Sequence, residues 1–213
     1  MNIEYVAPAE IEKRSMAIIS DELERRGILL PDETADIVKR CIHTTADFDY
    51  AETLCFSPGA IAECRRLIRG GALLVTDTNM ALAGINKREL ERYGARAMCF
   101  MSEADVAEEA AARGITRASV SMERAMRREE PVIFVIGNAP TALIALQEQM
   151  DLGHYRPAFV IGVPVGFVNV EAAKELILAD DIPHIVNRGR KGGSTVAAAI
   201  CNAILYGMRG QQG

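Results

Sequence analysis

The chain has 213 residues, 49% of them hydrophobic, and a net charge of −5, which suits one domain, here read as 1–213, with a sizeable core. The acidic balance, the lack of tryptophan and the lack of a basic run interleaved with aromatics exclude nucleic acid as a partner. No apolar run is long enough to span a membrane and no N-terminal signal pattern occurs, so the expectation is a cytoplasmic protein with no membrane partner.

Residues 8–26 read as an amphipathic helix, with Ile11, Ile18, Ile19 and Leu23 as its apolar stripe and Gly27 as its stop. Ser15 lies in that helix, where a small packing residue is the plain reading. A second helix covers 32–42 and begins at Pro31-Asp-Glu-Thr. Ser57-Pro-Gly-Ala starts a third, which runs to about Arg69 and breaks at Gly70-Gly71.

From there the texture alternates strand and helix. Short apolar runs of strand length occur at Ala72–Thr76, Ala95–Met101, Pro131–Ile136, Ala158–Ile161 and His184–Val186. Helical patterns fall at 103–113, 116–128, 139–150, 169–179 and 194–207. Continuous rather than alternating apolar strands are buried on both faces. The order predicts an α/β fold, with a five-stranded parallel sheet between helical layers. Gly210–Gly213 read as a frayed end.

Five cysteines, at 41, 55, 64, 99 and 201, are odd in number and form no Cys-x-x-Cys pair, which fits reduced, buried thiols. The histidines at 43, 154 and 184 lack ligand spacing, so no protein-bound metal is expected.

In an open parallel sheet, ligands bind beyond the carboxyl ends of the strands. The residues that leave those ends are Asp77-Thr78-Asn79, Ser102, Gly137-Asn-Ala-Pro-Thr141, Gly162-Val-Pro-Val-Gly-Phe167 and Asn187-Arg-Gly-Arg-Lys-Gly-Gly-Ser194. The last turn combines Gly189, Gly192 and Gly193 with Arg188, Arg190, Lys191 and a helix start at Ser194. That is anion-binding chemistry, and it equally describes a glycine turn with solvated basic residues. Neither a Walker A loop nor a dinucleotide fingerprint is present. Carboxylates suit the turn as well as phosphates, because arginine grips either.

The stretch Arg40-Cys-Ile-His-Thr-Thr-Ala-Asp-Phe-Asp-Tyr50 lies where the second helix runs out, which puts His43 at a helix C-terminus. The partial negative charge there, with Asp47 and Asp49 nearby, favours an imidazolium, and such a histidine can give and take a proton near neutral pH. A capping histidine beside a solvated loop has the same sequence.

Several stretches together resemble one family. They are Lys13-Arg-Ser-Met-Ala-Ile-Ile19, Arg40–Asp49, Thr76-Asp-Thr-Asn-Met-Ala-Leu-Ala-Gly-Ile-Asn86, Gly114-Ile-Thr-Arg117, Gly137-Asn-Ala-Pro-Thr-Ala-Leu143, Gly162-Val-Pro-Val-Gly-Phe-Val168 and Gly189-Arg-Lys-Gly-Gly-Ser194. In order and spacing they resemble precorrin-8X methylmutase, the isomerase of cobalamin biosynthesis that shifts a methyl group from C-11 to C-12 of the corrin macrocycle. The resemblance implies a flavodoxin-like three-layer fold with N-terminal helices, a homodimer and no cofactor, any cobalt being carried by the substrate. It implies that His43 is catalytic and protonates the ring. Ser15, Arg40 and Thr44 are then expected to touch the corrinoid near His43. Asp77, Thr78, Arg117, Asn138, Ala139, Gly166, Phe167, Arg188, Arg190, Lys191, Gly192, Gly193 and Ser194 are expected to hold it from the strand-end turns. The forms His-Thr-Thr-Ala-Asp-Phe-Asp and Gly-Arg-Lys-Gly-Gly-Ser look more like the anaerobic branch, which acts on cobalt-precorrin-8 and yields cobyrinate.

Two other classes share these features. A non-catalytic carrier would bind corrinoids without turnover, and a phosphate-binding enzyme could use the same strand-end crevice. A flavin carrier is disfavoured by the few aromatics near the turns.

Overall fold

The protein is described by a computed structural model over residues 5–209, so Gly210–Gly213 lie outside the described residues. Two helices, α1 (Ile11–Arg25) and α2 (Asp32–Thr45), lead into a single turn, α3 (Tyr50–Thr53), and a short strand, β1 (Leu54–Phe56). Then follow α4 (Ala60–Arg69), β2 (Leu73–Thr76), α5 (Asn79–Gly84), α6 (Lys87–Glu91) and β3 (Arg96–Met98). The second half is α7 (Ala104–Arg113), α8 (Arg117–Met126), β4 (Val132–Ile136), α9 (Pro140–Asp151), β5 (Phe159–Gly162), α10 (Val170–Ala179), β6 (His184–Asn187) and α11 (Ser194–Tyr206).

The sheet is six-stranded and mixed, in the order β1-β6-β5-β4-β2-β3. This corrects the expected five-stranded parallel sheet. All five predicted strands are present and parallel, and β1 adds an antiparallel edge against β6, with Leu54 opposite Asn187 and Phe56 opposite Ile185. Leu54-Cys-Phe56 is too short to show a period and follows α3 without a break, so the sequence carries no strand signal there.

Side chains alternate across the central strands, and both faces are apolar. Leu74, Ile133, Val135 and Ile161 join a core with α1, α2, α4 and α11. Leu73, Val75, Val132, Phe134 and Val160 join a second core with α7, α8, α9 and α10. Helix α11 is apolar on nearly every side, from Val196 to Leu205, and is correspondingly buried.

The chain order of the strands reverses between β2 and β4, the point where open sheets usually form a crevice. Here Asp77, immediately after β2, fills it. Its carboxylate accepts the backbone N–H groups of Gly137 (2.8 Å), Asn138 (2.8 Å) and Ala139 (2.6 Å). Burial pushes its carboxyl above the usual range, and these bonds oppose that push. Two glycines let the neighbouring turns close up. A Cβ on Gly137 would stand 2.7 Å from the Ser194 Cα, and one on Gly192 would stand 2.1 Å from the Val163 carbonyl oxygen.

Asp77→Asn replaces one acceptor oxygen by an N–H donor aimed at other donors. The expected cost is about 2–3 kcal/mol of folding stability, read from urea unfolding midpoints. A change within about 0.5 kcal/mol would show that the turn after β4 holds without the carboxylate.

Candidate active site

Strand β1 explains where His43 stands. Because β1 runs against β6, its first residue lies at the carboxyl end of β6. The chain just before it, α3 and the loop after α2, therefore sits over the same edge as the strand-end turns. The Arg188 N–H bonds the Thr53 carbonyl (2.8 Å), and the Thr53 hydroxyl bonds Asn187 Oδ1 (2.8 Å). Helix α2 continues past His43 to Thr45, beyond the expected end at residue 42, and stops where Ala46 turns left-handed at φ 55°. His43 thus occupies the last helical turn, and both it and Thr44 are exposed.

Asp47 and Asp49 are expected beside His43, but their carboxylates turn instead to Lys191 Nζ, at 2.5 Å each. Lys191 holds the Asp47 carboxyl below its usual range. This lysine joins the His43-bearing loop to the turn between β6 and α11, two segments 142 residues apart in sequence.

That turn is supported from beneath. Lys174, on α10, has no exposed surface, and its ammonium donates to the carbonyl oxygens of Gly189 and Lys191, at 2.7 Å each. Burial pulls its pKa from an ordinary 10.5 to about 8, against a smaller upward pull from Glu171. Buried Asn187 adds bonds from Nδ2 to the carbonyls of Arg188 and Lys191, at 3.0 Å each. Sequence reasoning missed both supports. The signal for Lys174 is its spacing: Val170, Ala173, Lys174 and Ile177 form one buried stripe, and a lysine there needs a buried partner.

The remaining turns close on each other. The Gly193 N–H donates to the Val163 carbonyl (2.9 Å), the Gly166 N–H to the Arg190 carbonyl (3.3 Å), and Thr78 Oγ1 lies 2.7 Å from Ser194 Oγ. Thr116 Oγ1 stands 2.8 Å from Thr141 Oγ1, which brings the start of α8, with exposed Arg117, to the same edge. Asn138 is exposed there and Ala139 half-buried. Phe167 is 83% exposed, with the Arg190 guanidinium 5.6 Å from its ring centre. Arg190 also pairs with Glu171 (2.6 Å) and Arg188 with Glu175 (3.4 Å).

The structure thus gathers His43, Thr44, Thr78, Arg117, Asn138, Ala139, Gly166, Phe167, Arg188, Arg190, Lys191, Gly192, Gly193 and Ser194 along one edge. Three of the expected contact residues are engaged within the chain itself. Asp77 is fully buried and spent on backbone N–H groups, so it shapes the edge from inside and presents no surface to a ligand. Arg40 bonds Glu12 (2.7 Å) and lies 5.8 Å from the centre of the Tyr206 ring, at the far end of α11 from Ser194. The length of α11, about 20 Å, separates that ring from the glycine turn. Ser15 is half-buried, and its hydroxyl bonds the Ile11 carbonyl one turn back (3.0 Å). Arg40 instead lines a separate cleft of about 310 Å³ with Met16, Asp36, Lys39 and Tyr206.

Lys174 gives a pH dependence with a definite sign. Between pH 8 and 10.5 the unfolded chain keeps a proton that the folded lysine has shed, so this residue's contribution to stability rises with pH across that window. The stability of the wild type relative to Lys174→Met should grow over those values in urea titrations. A flat difference would mean that the buried amine titrates as it does in the unfolded chain.

Comparison with known proteins identifies the family. The family profile described as Precorrin-8X methylmutase matches residues 10–207. The cobalt-precorrin-8 methylmutase of Priestia megaterium is 42% identical over 199 residues, covering 93% of this chain and 88% of that one. That of Salmonella typhimurium strain LT2 is 42% identical over 207 residues, covering 95% and 96%. The crystal structure of precorrin-8x methyl mutase from Thermus thermophilus superposes with a TM-score of 0.82 at 36% identity, covering 92% of this chain and 96% of that one. The chain belongs to the precorrin-8X methylmutase family.

Proposed function

We propose that this protein moves a methyl group within a corrin ring laid across the carboxyl edge of its sheet, with His43 as the acid that protonates the ring. Methylmutases are isomerases: substrate and product hold the same atoms, so no group donor or oxidant is required for balance. The C-11 to methyl bond breaks as the C-12 to methyl bond forms. A proton lent to the macrocycle by His43 and later returned leaves the overall count unchanged. The observation that carries this reading is the Lys191 bridge, which ties the exposed histidine's loop to the glycine turn.

The edge suits such a ligand. A corrin is broad, flat and partly apolar, with acetate and propionate arms. Exposed Val165, Phe167 and Val168 offer apolar surface, and Arg117, Arg188, Arg190 and Lys191 offer charge at the rim. Thr44, Thr78, Asn138 and Ser194 add polar groups or frame the turns. Arg40 reaches toward Glu12 and Tyr206 and the Ser15 hydroxyl bonds within its own helix, so both would have to change partners to touch the ring near His43.

We assign the cobalt-containing ring as the natural substrate, because the sequence forms around His43 and Lys191 resemble that branch. The chain is read as one methylmutase domain, supported by a single sheet that spans it. Its five parallel strands, renumbered alone, run 2-1-3-4-5, which favours a flavodoxin-like assignment. Two copies are proposed to associate, since Ile11 and Ile18 leave apolar surface on α1. Among the described residues no helix is long and apolar enough to cross a membrane, and the five free cysteines fit a reducing cytoplasm.

His43→Ala should fold and bind product yet lose roughly 100- to 10,000-fold in turnover, the share a general acid supplies. The assay is the absorbance change as cobalt-precorrin-8, or the metal-free ring, is converted. Turnover close to that of the wild type would remove His43 from the mechanism. Faster conversion of the metal-free ring would reverse the branch assignment.

A further inference from the structure

Every basic side chain of the turn between β6 and α11 is already engaged by a carboxylate of the chain itself. Arg188 meets Glu175, Arg190 meets Glu171, and Lys191 meets two, Asp47 and Asp49. Two carboxylates against one ammonium leave a net negative cluster. A carboxylated ring arm that docks on the half-exposed Lys191 ammonium meets that negative cluster, and departure of one aspartate removes the repulsion.

The two aspartates are held differently. Asp47 is built into its loop: its N–H bonds Thr45 Oγ1 (3.2 Å), its Oδ1 accepts the Asp49 N–H (3.0 Å), and its side chain is 29% exposed. The Asp49 side chain is 63% exposed and reaches Lys191 from the solvent side. Rotation about its own side-chain bonds vacates one of the two carboxylate positions on Lys191 and leaves Asp47 in the other.

We propose that Asp49 is an internal placeholder for the substrate: in the free protein its carboxylate takes the position on Lys191 that a ring carboxylate takes in the complex, while Asp47 keeps Lys191 tied to the His43-bearing loop. The inference rests on the polycarboxylate reading of the ligand given above. It makes Asp49 a residue that tunes affinity and Asp47 one that positions the acid through Lys191. An exposed ion pair is weak, so the exchange is cheap, and Asp49 lowers affinity by only a small factor.

The test is an absorbance titration with cobyrinate of the wild type, Asp49→Asn, Asp47→Asn, Lys191→Met and the double variant Asp49→Asn/Lys191→Met. Benzenehexacarboxylate serves as a second, non-corrin probe by calorimetry. Asp49→Asn should bind cobyrinate about three- to tenfold more tightly, the range an exposed pair allows. That gain should vanish in the Lys191→Met background, which separates loss of a direct competitor from a general loss of negative charge. Asp47→Asn should lower kcat without the gain in affinity. Equal or weaker binding by Asp49→Asn, or a gain that persists without Lys191, overturns the placeholder. Tightening toward benzenehexacarboxylate with no cobyrinate binding keeps the placeholder and rejects the corrinoid reading. Failure of both probes with every variant overturns both.

Discussion

The carboxylate of Asp77 closes the crevice that the switch point of the sheet would otherwise offer. At the point where strand order reverses, three backbone N–H groups converge, and in an open α/β sheet such a point can hold a phosphate or a carboxylate of the ligand. Here the chain supplies its own anion, fully buried. The crevice is therefore shut, and what remains is a shallow, glycine-lined rim. A small phosphorylated metabolite finds no deep anion hole at that point. A broad ring with charged arms, laid across the rim as proposed, would lose nothing by its closure.

The rim depends on supports below it. The Lys174 ammonium and the Asn187 amide gather the carbonyl oxygens of the β6–α11 turn inward, so its basic side chains face out. A turn without such supports would rearrange freely, and charged groups on it would have no fixed spacing. Lys174 carries the burial cost of a cation for the sake of that spacing, which places this site among those where local stability is given up for geometry.

Much of this was readable in the sequence, and the gaps have physical causes. The five parallel strands show as apolar runs because they are covered on both sides. Strand β1 does not, because three residues hold no period and its pairing partner is far along the chain. The strand-end turns announce themselves through glycine and polar residues, but Asp77 and Asn138 look alike in a sequence although one is buried and the other exposed. Arg40 is one helical turn from His43, and the family resemblance implied a shared site. The direction of its side chain, toward Glu12 and Tyr206, is a tertiary property. The role expected for Asp47 and Asp49 changed for the same reason, since Lys191 arrives from the far end of the sequence.

The pairing of β1 with β6 also has a consequence for the order of events during synthesis. The Thr53 hydroxyl and its Asn187 partner are 134 residues apart, so the loop that carries His43 leaves the ribosome long before the strand that fixes it. The central strands can pair and the helices can pack on them while that loop has no partner on the sheet. The edge proposed to carry the chemistry is consequently completed by a contact of high sequence separation that closes the largest loop in the sheet. A nascent chain interrupted before β6 would carry all of the histidine's immediate sequence and none of its setting.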